Sequence, residues 1–136
     1  MGLYYERDYL MRLMQAFFEA LGRVASSRAT KGYEVVEQEV QTTFRTFFER
    51  DIQHFDALTP PEIIAGFTAD PYPTEKVEMV AMLLFELGMA TPDSELLRQR
   101  LTKANALIDH ISEMRHTVSF DHLGKQHQIL LRLNSI

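Results

Sequence analysis

Two carboxylate–histidine pairs are the residues of this chain whose type and spacing best suit them to chemistry. Glu113-Met114-Arg115-His116 has the Glu-x-x-His spacing, and Asp51-Ile52-Gln53-His54 is its aspartate variant. Residues three apart share a helix face, so each pair offers a carboxylate and an imidazole to one metal pair, as in di-iron carboxylate bundles. Such a centre also needs a carboxylate from each facing helix at the same height. A turn near residue 30 sets Asp51 opposite about residue 9, where Glu6 and Asp8 stand at the entrance of a helix. A turn near residue 92 sets Glu113 opposite about residue 71, outside the facing helix. The competing reading is a pair of helix-end histidines, because the dipole of a last turn favours a cationic side chain without any metal. Asp51, His54, Glu113 and His116 therefore stand as the alternative, a di-metal bundle, while the favoured reading needs no metal and no cofactor.

Other chemistries find no carrier. There is no cysteine, which removes thiol catalysis, zinc ribbons and disulfides. No Gly-x-Ser-x-Gly occurs, and the six glycines stand apart from one another and form no phosphate-binding loop. His110, His122 and His127 have no ligand spacing among themselves, and His127 falls on the apolar stripe of the last helix as a core or boundary residue. Lysines and arginines are scattered over a chain of net charge −5. Phosphate backbones require clustered positive charge, so no nucleic-acid partner is expected. An enzyme is not expected either.

The elements that position these residues are helical throughout. Apolar residues recur at three- and four-residue steps, and no stretch alternates at period two. Helix one spans about Tyr5 to Ser27, and helix two about Tyr33 to Phe55 after the Lys31-Gly32 break. Thr59-Pro60-Pro61-Glu62 has the spacing of a capping box and opens a short helix, which Asp70-Pro71-Tyr72-Pro73 stops. Thr74 is the expected cap of a helix ending near Gly88, and Thr91-Pro92 repeats the start signal for one running to about Arg115. A last helix carries Leu123, His127, Leu130 and Leu131 on its stripe. A single all-α domain over residues 1–136 follows, with five or six helices. An N-terminal hairpin (5–56), a Pro-rich link (57–73) and C-terminal helices (74–134) make two antiparallel hairpins packed together.

Helix one is apolar beyond an ordinary stripe. Leu10, Leu13, Met14, Phe17, Leu21 and Val24 form the stripe, and Tyr9, Met11, Ala16, Phe18 and Ala20 widen it. A helix of that kind must be covered from several sides. Phe17-Phe18, Phe47-Phe48 and Leu83-Leu84-Phe85 are adjacent pairs or runs whose neighbours point about 100° apart, so one member of each can face the hairpin core and another must look elsewhere. The cover is either the second hairpin or another subunit. Tyr9, Met11, Phe18, Phe48 and Phe85 are the expected interface residues of a homodimer, or of a groove for a partner helix. A membrane surface is not expected, because acidic and basic residues mix on the polar face of helix one.

Val80-Ala81, Leu84 and Gly88, followed by Leu97, Leu101 and Ala104, resemble a degenerate tetratricopeptide repeat, although the intervening turn is too long for the motif. Asp8-Tyr9-Leu10-Met11-Arg12-Leu13 and Ser119-Phe120-Asp121 resemble the two ends of an uncharacterised family of short all-helical bacterial proteins with a repeat-like C-terminal hairpin. That resemblance implies architecture and brings no activity or functional residue. The expected function is a non-enzymatic helical interaction or structural protein, self-associating through its N-terminal hairpin. With no cysteine, no signal-peptide pattern and no span-length apolar run, the expected compartment is the cytoplasm.

Overall fold

The most apolar run of the chain decides the architecture. From Val77 to Gly88 every residue is buried, Glu78 and Glu86 included. A helix with no exposed face must be enclosed by others, and the remaining elements do this. The computed structural model describes the backbone from Gly2 onward and the side chains from Glu6 onward. Met1, part of the expected 1–136 domain, lies outside the described residues. Among these residues the chain forms seven helices and no strand: α1 (Gly2–Thr30), α2 (Tyr33–Phe48), α3 (Ile52–Asp56), α4 (Pro60–Gly66), α5 (Pro73–Ala90), α6 (Glu95–Arg115) and α7 (Phe120–Asn134). None is long and apolar enough to cross a membrane.

α5 lies at the centre. α6 packs along it most extensively, the α1–α2 hairpin covers another side, and α4 and α7 close the rest. The all-α architecture follows the sequence pattern, but the enclosed helix is α5 and not helix one. α1 turns Phe17, Ala20 and Val24 inward and leaves Tyr9, Met11 and Phe18 exposed. Phe17 meets Phe47 edge-on across the hairpin, with ring centroids 5.5 Å apart. Ser27 donates to Glu39 at 2.7 Å near the turn between the two helices.

The helix starts are chemically specified. Thr59 Oγ1 accepts from the Glu62 amide at 3.3 Å, and Glu62 accepts from the Thr59 amide at 2.9 Å, completing the capping box. Ser119 caps α7 through the amide of His122. α6 is capped by Ser94, while the Thr91 hydroxyl turns back to donate to the Leu87 carbonyl at the end of α5. α5 begins two residues earlier than Thr74 would set it, with Pro73 in its first turn and Tyr72 as the cap residue. A proline fits there because the first amides of a helix lack partners in any case.

The expected helix from Tyr33 to Phe55 is two helices. Glu49 ends α2 in the left-handed region at φ 56°, and Asp51 precedes α3 in an extended conformation. The reason is packing and capture. The fold-back stacks Phe55 on Phe44 with centroids 4.6 Å apart, and Phe48 meets Phe55 edge-on. Gln41 accepts from the Ile52 amide at 2.6 Å, and Asp51 accepts from Arg45 at 2.7 Å. Lys103 of α6 then donates to the Phe55 and Asp56 carbonyls, capping a helix too short to be stable alone.

The α5–α6 contact is close enough to require glycine. A Cβ on Gly88 would stand 2.6 Å from Leu101 Cδ2 and 3.3 Å from Arg100 Cβ. Leu101 is fully buried and Arg100 nearly so, which leaves neither side chain room to withdraw. Gly88→Ala is therefore expected to destabilise the protein by about 1–3 kcal/mol through overpacking, against the gain in helix propensity. Chemical denaturation measures this; a variant as stable as the parent would show that the two helices pack more loosely.

Candidate interaction surface

The carboxylate–histidine pairs are not brought together. Among the described residues, no three His, Asp or Glu side chains converge as a metal site would require. Asp51 lies in the loop between α2 and α3, its Oδ1 2.7 Å from Arg45 Nε. His54 packs its ring edge-on against Phe55, and His116 ends α6 in the left-handed region. Glu113 is exposed in the last turn of α6, with its carbonyl accepting from the His116 amide.

The polar groups that do converge are buried between helices. Arg100, 3% exposed, makes a two-pronged contact with Asp56 at 3.1 and 2.8 Å and donates to the Tyr33 and Thr91 hydroxyls at 2.8 and 3.0 Å. Four elements meet at that guanidinium. Burial pushes the Tyr33 hydroxyl up from its ordinary value, and burial also pushes the Lys103 amine down. Beneath α7, Glu78 pairs with His122 Nε2 at 2.8 Å and with Arg115 at 3.0 Å. Burial pushes the Glu78 carboxyl up, but the hydrogen bonds from His122 and Arg115 outweigh it and hold the group at about 2. Glu86, also on α5, accepts from Arg28 of α1 at 2.6 Å. These pairs fix helix to helix, and every buried side-chain polar atom among the described residues has a partner.

Of the five expected interface residues, three are exposed. Tyr9 is 58%, Met11 66% and Phe18 46% exposed. Met11 and Phe18, seven residues apart, share a face of α1, while Tyr9 points about 200° round from Met11. Phe48 is half-buried against Phe44, Phe55 and Phe67. Phe85 must be withdrawn as an interface residue. It is 1% exposed, in the core, with Arg28 and Lys125 each over its ring at 5.6 and 5.5 Å. Because α5 is enclosed on all sides, Leu83, Leu84 and Phe85 all find intramolecular cover.

A cleft of about 520 Å³ opens where the break after α2 leaves α3 and α4 at an angle. Phe48, Phe55 and Phe67 contribute to its lining, together with His54, Glu62 and Lys76. Glu62 is engaged in the capping box and Lys76 is paired with Asp70 at 3.3 Å, so two of its charged groups already have structural roles.

The surface that the sequence pattern misassigned is on α7. The stripe read as inward-facing looks outward: Leu123 is 54%, Leu130 55% and Leu131 58% exposed, His127 is exposed between them, and Phe120, which that stripe did not include, is 94% exposed beside them. The face that docks on α5 and α6 is made by His122 and Ile129, with Leu133 partly buried beside them. α7 thus carries two apolar stripes, and the smaller one is buried because His122 reaches Glu78. A shallow groove beside the outer stripe runs past Asn105 of α6 and Gly124. The spacing of Leu123, His127, Leu130 and Leu131 is visible in the sequence as a helical stripe; its orientation is not.

No family model matches the chain, and no curated protein or solved structure does either.

The Glu78 cluster makes stability depend on acid. A carboxylate whose pKa falls on folding stabilises above its unfolded value, near 4.5, and that contribution is lost as pH falls toward about 2. Glu78→Gln is expected to be less stable at neutral pH and to lose less further stability between about pH 4.5 and 2. Thermal melts of both proteins across that window test this; parallel pH profiles would remove Glu78 as a source of the acid dependence.

Proposed function

We propose that this chain is a non-enzymatic helical interaction protein that self-associates. The observation that carries the reading is the exposure of large apolar side chains in helical register on outer helices of a folded unit whose own core is complete. Contiguous exposed apolar surface of this kind marks interaction sites in water-exposed proteins. The polar clusters support the same reading, since Arg100, Glu78 and Glu86 are all engaged in holding helices together.

Two described faces are available. One is on the N-terminal hairpin, where Met11 and Phe18 share a side of α1 with Gly22. The other is the outer face of α7, with Phe120, Leu123, Leu130 and Leu131. A homodimer through either face, or a partner helix laid along it, satisfies the exposed groups. The close α5–α6 packing at Gly88 supports the likeness of that hairpin to a tetratricopeptide repeat, a scaffold that works by presenting helix faces. The resemblance to short bacterial helical proteins adds no activity to this reading. A cysteine-free composition is consistent with the cytoplasm as its place of work.

Light scattering coupled to size exclusion, over a hundred-fold dilution series, tests self-association. The expected result is a mass near twice 15.8 kDa at high concentration, falling on dilution. A single monomeric mass at every concentration would contradict it.

A further inference from the structure

We propose that the outer face of α7 is the contact between two copies of this chain, the two helices lying antiparallel about a two-fold axis near Gly124. This rests on the self-association proposed above and adds its place and geometry. Phe120, Leu123, His127 and Leu130 follow the three–four spacing of a coiled-coil seam. Antiparallel pairing about that axis sets Phe120 against the partner's Leu130 and Leu123 against the partner's His127. The contact is then closed and isologous, each copy using the same residues.

Three observations favour a second copy as the occupant. The first is charge. The chain carries a net charge of −5, so two copies approach best where carboxylates are absent or neutralised. The α7 stripe bears no carboxylate, Asp121 beside it is paired with Lys125 at 2.9 Å, and Arg132 is paired with Asp93. A copy of the same face therefore meets no unpaired charge from Asp121, Lys125, Arg132 or Asp93.

The second is area. From their fractional exposures, Phe120, Leu123, Leu130 and Leu131 together offer roughly 450 Å² of apolar surface. Met114 and Val118, about half exposed at the α6–α7 turn, extend it toward the roughly 600 Å² per partner at the lower end of stable interfaces.

The third is Gly124. It lies inside α7 with no positive φ, and a Cβ added there meets nothing within 4 Å, so nothing within the protomer calls for glycine. Glycine inside a helix is unfavourable relative to alanine, but its missing side chain lets a second helix come close. Gly22 stands in the same relation to Met11 and Phe18, but among the described side chains that face shows two large exposed apolar groups, with Gln15 between them.

The test compares the wild-type chain with Leu130→Asp, Gly124→Glu and Phe18→Asp, by light scattering across the dilution series and by circular dichroism. Gly124→Glu guards against a trivial loss of folding, because the added side chain meets open space in the protomer. The expected result is a wild-type dimer that both α7 variants convert to a folded monomer, and that Phe18→Asp leaves intact. A wild-type monomer at all concentrations overturns both this contact and the self-association itself. A wild-type dimer that survives both α7 changes, or that Phe18→Asp dissociates, keeps self-association and overturns its placement on α7.

Discussion

Enclosure of α5 is the constraint on which the rest of this structure depends. Twelve consecutive residues, Val77 to Gly88, have no exposed face, so three sides of one helix must be supplied by different parts of the chain. The enclosure also buries two carboxylates. Burial of a charge is unfavourable unless it is paired, and each carboxylate thereby selects a neighbour: Glu86 takes Arg28 from α1, and Glu78 takes Arg115 from α6 and His122 from α7. The apolar residues supply the driving force, and the two acids specify which helix lies where.

The same constraint explains where surplus apolar surface ends up. Helices around a central one need only a single inward stripe. α1 and α7 meet that need with Phe17, Ala20 and Val24, and with His122 and Ile129. What they carry beyond it remains outside. On α7 the side chain drawn inward at the first turn is a histidine, because Glu78 demands a donor there, and Phe120 and Leu123 on either side of it are left outward. The apolar face of α7 is thus a consequence of how the core is closed.

The sequence made the all-α class, the short capped helix at Thr59 and the close packing of α5 on α6 legible, because each has a local chemical cause. A capping box needs only residues three apart, and a helix–helix seam shows as a periodic stripe. What was not legible depends on distant residues. Nothing between Phe44 and Phe55 reveals that Arg100 and Lys103 will seize Asp56 and the end of α3, and without that capture the periodicity runs on as one helix. Nor does periodicity alone choose between two stripes on one helix: on α7 the larger one was read inward, and the partner that decides, Glu78, lies more than forty residues away. The breadth of helix one is visible, but breadth does not tell exposure from enclosure: Phe85 lies in the core because α5 is enclosed all round, whereas α1 buries one side and leaves Tyr9, Met11 and Phe18 exposed.

Hydrogen–deuterium exchange, read segment by segment at low and high protein concentration, tests the account most directly. Amides of α5 are expected to exchange slowest under both conditions, and those of α7 to become slower at high concentration while the first half of α1 does not change. Fast exchange in α5, or an α7 indifferent to concentration, would contradict it.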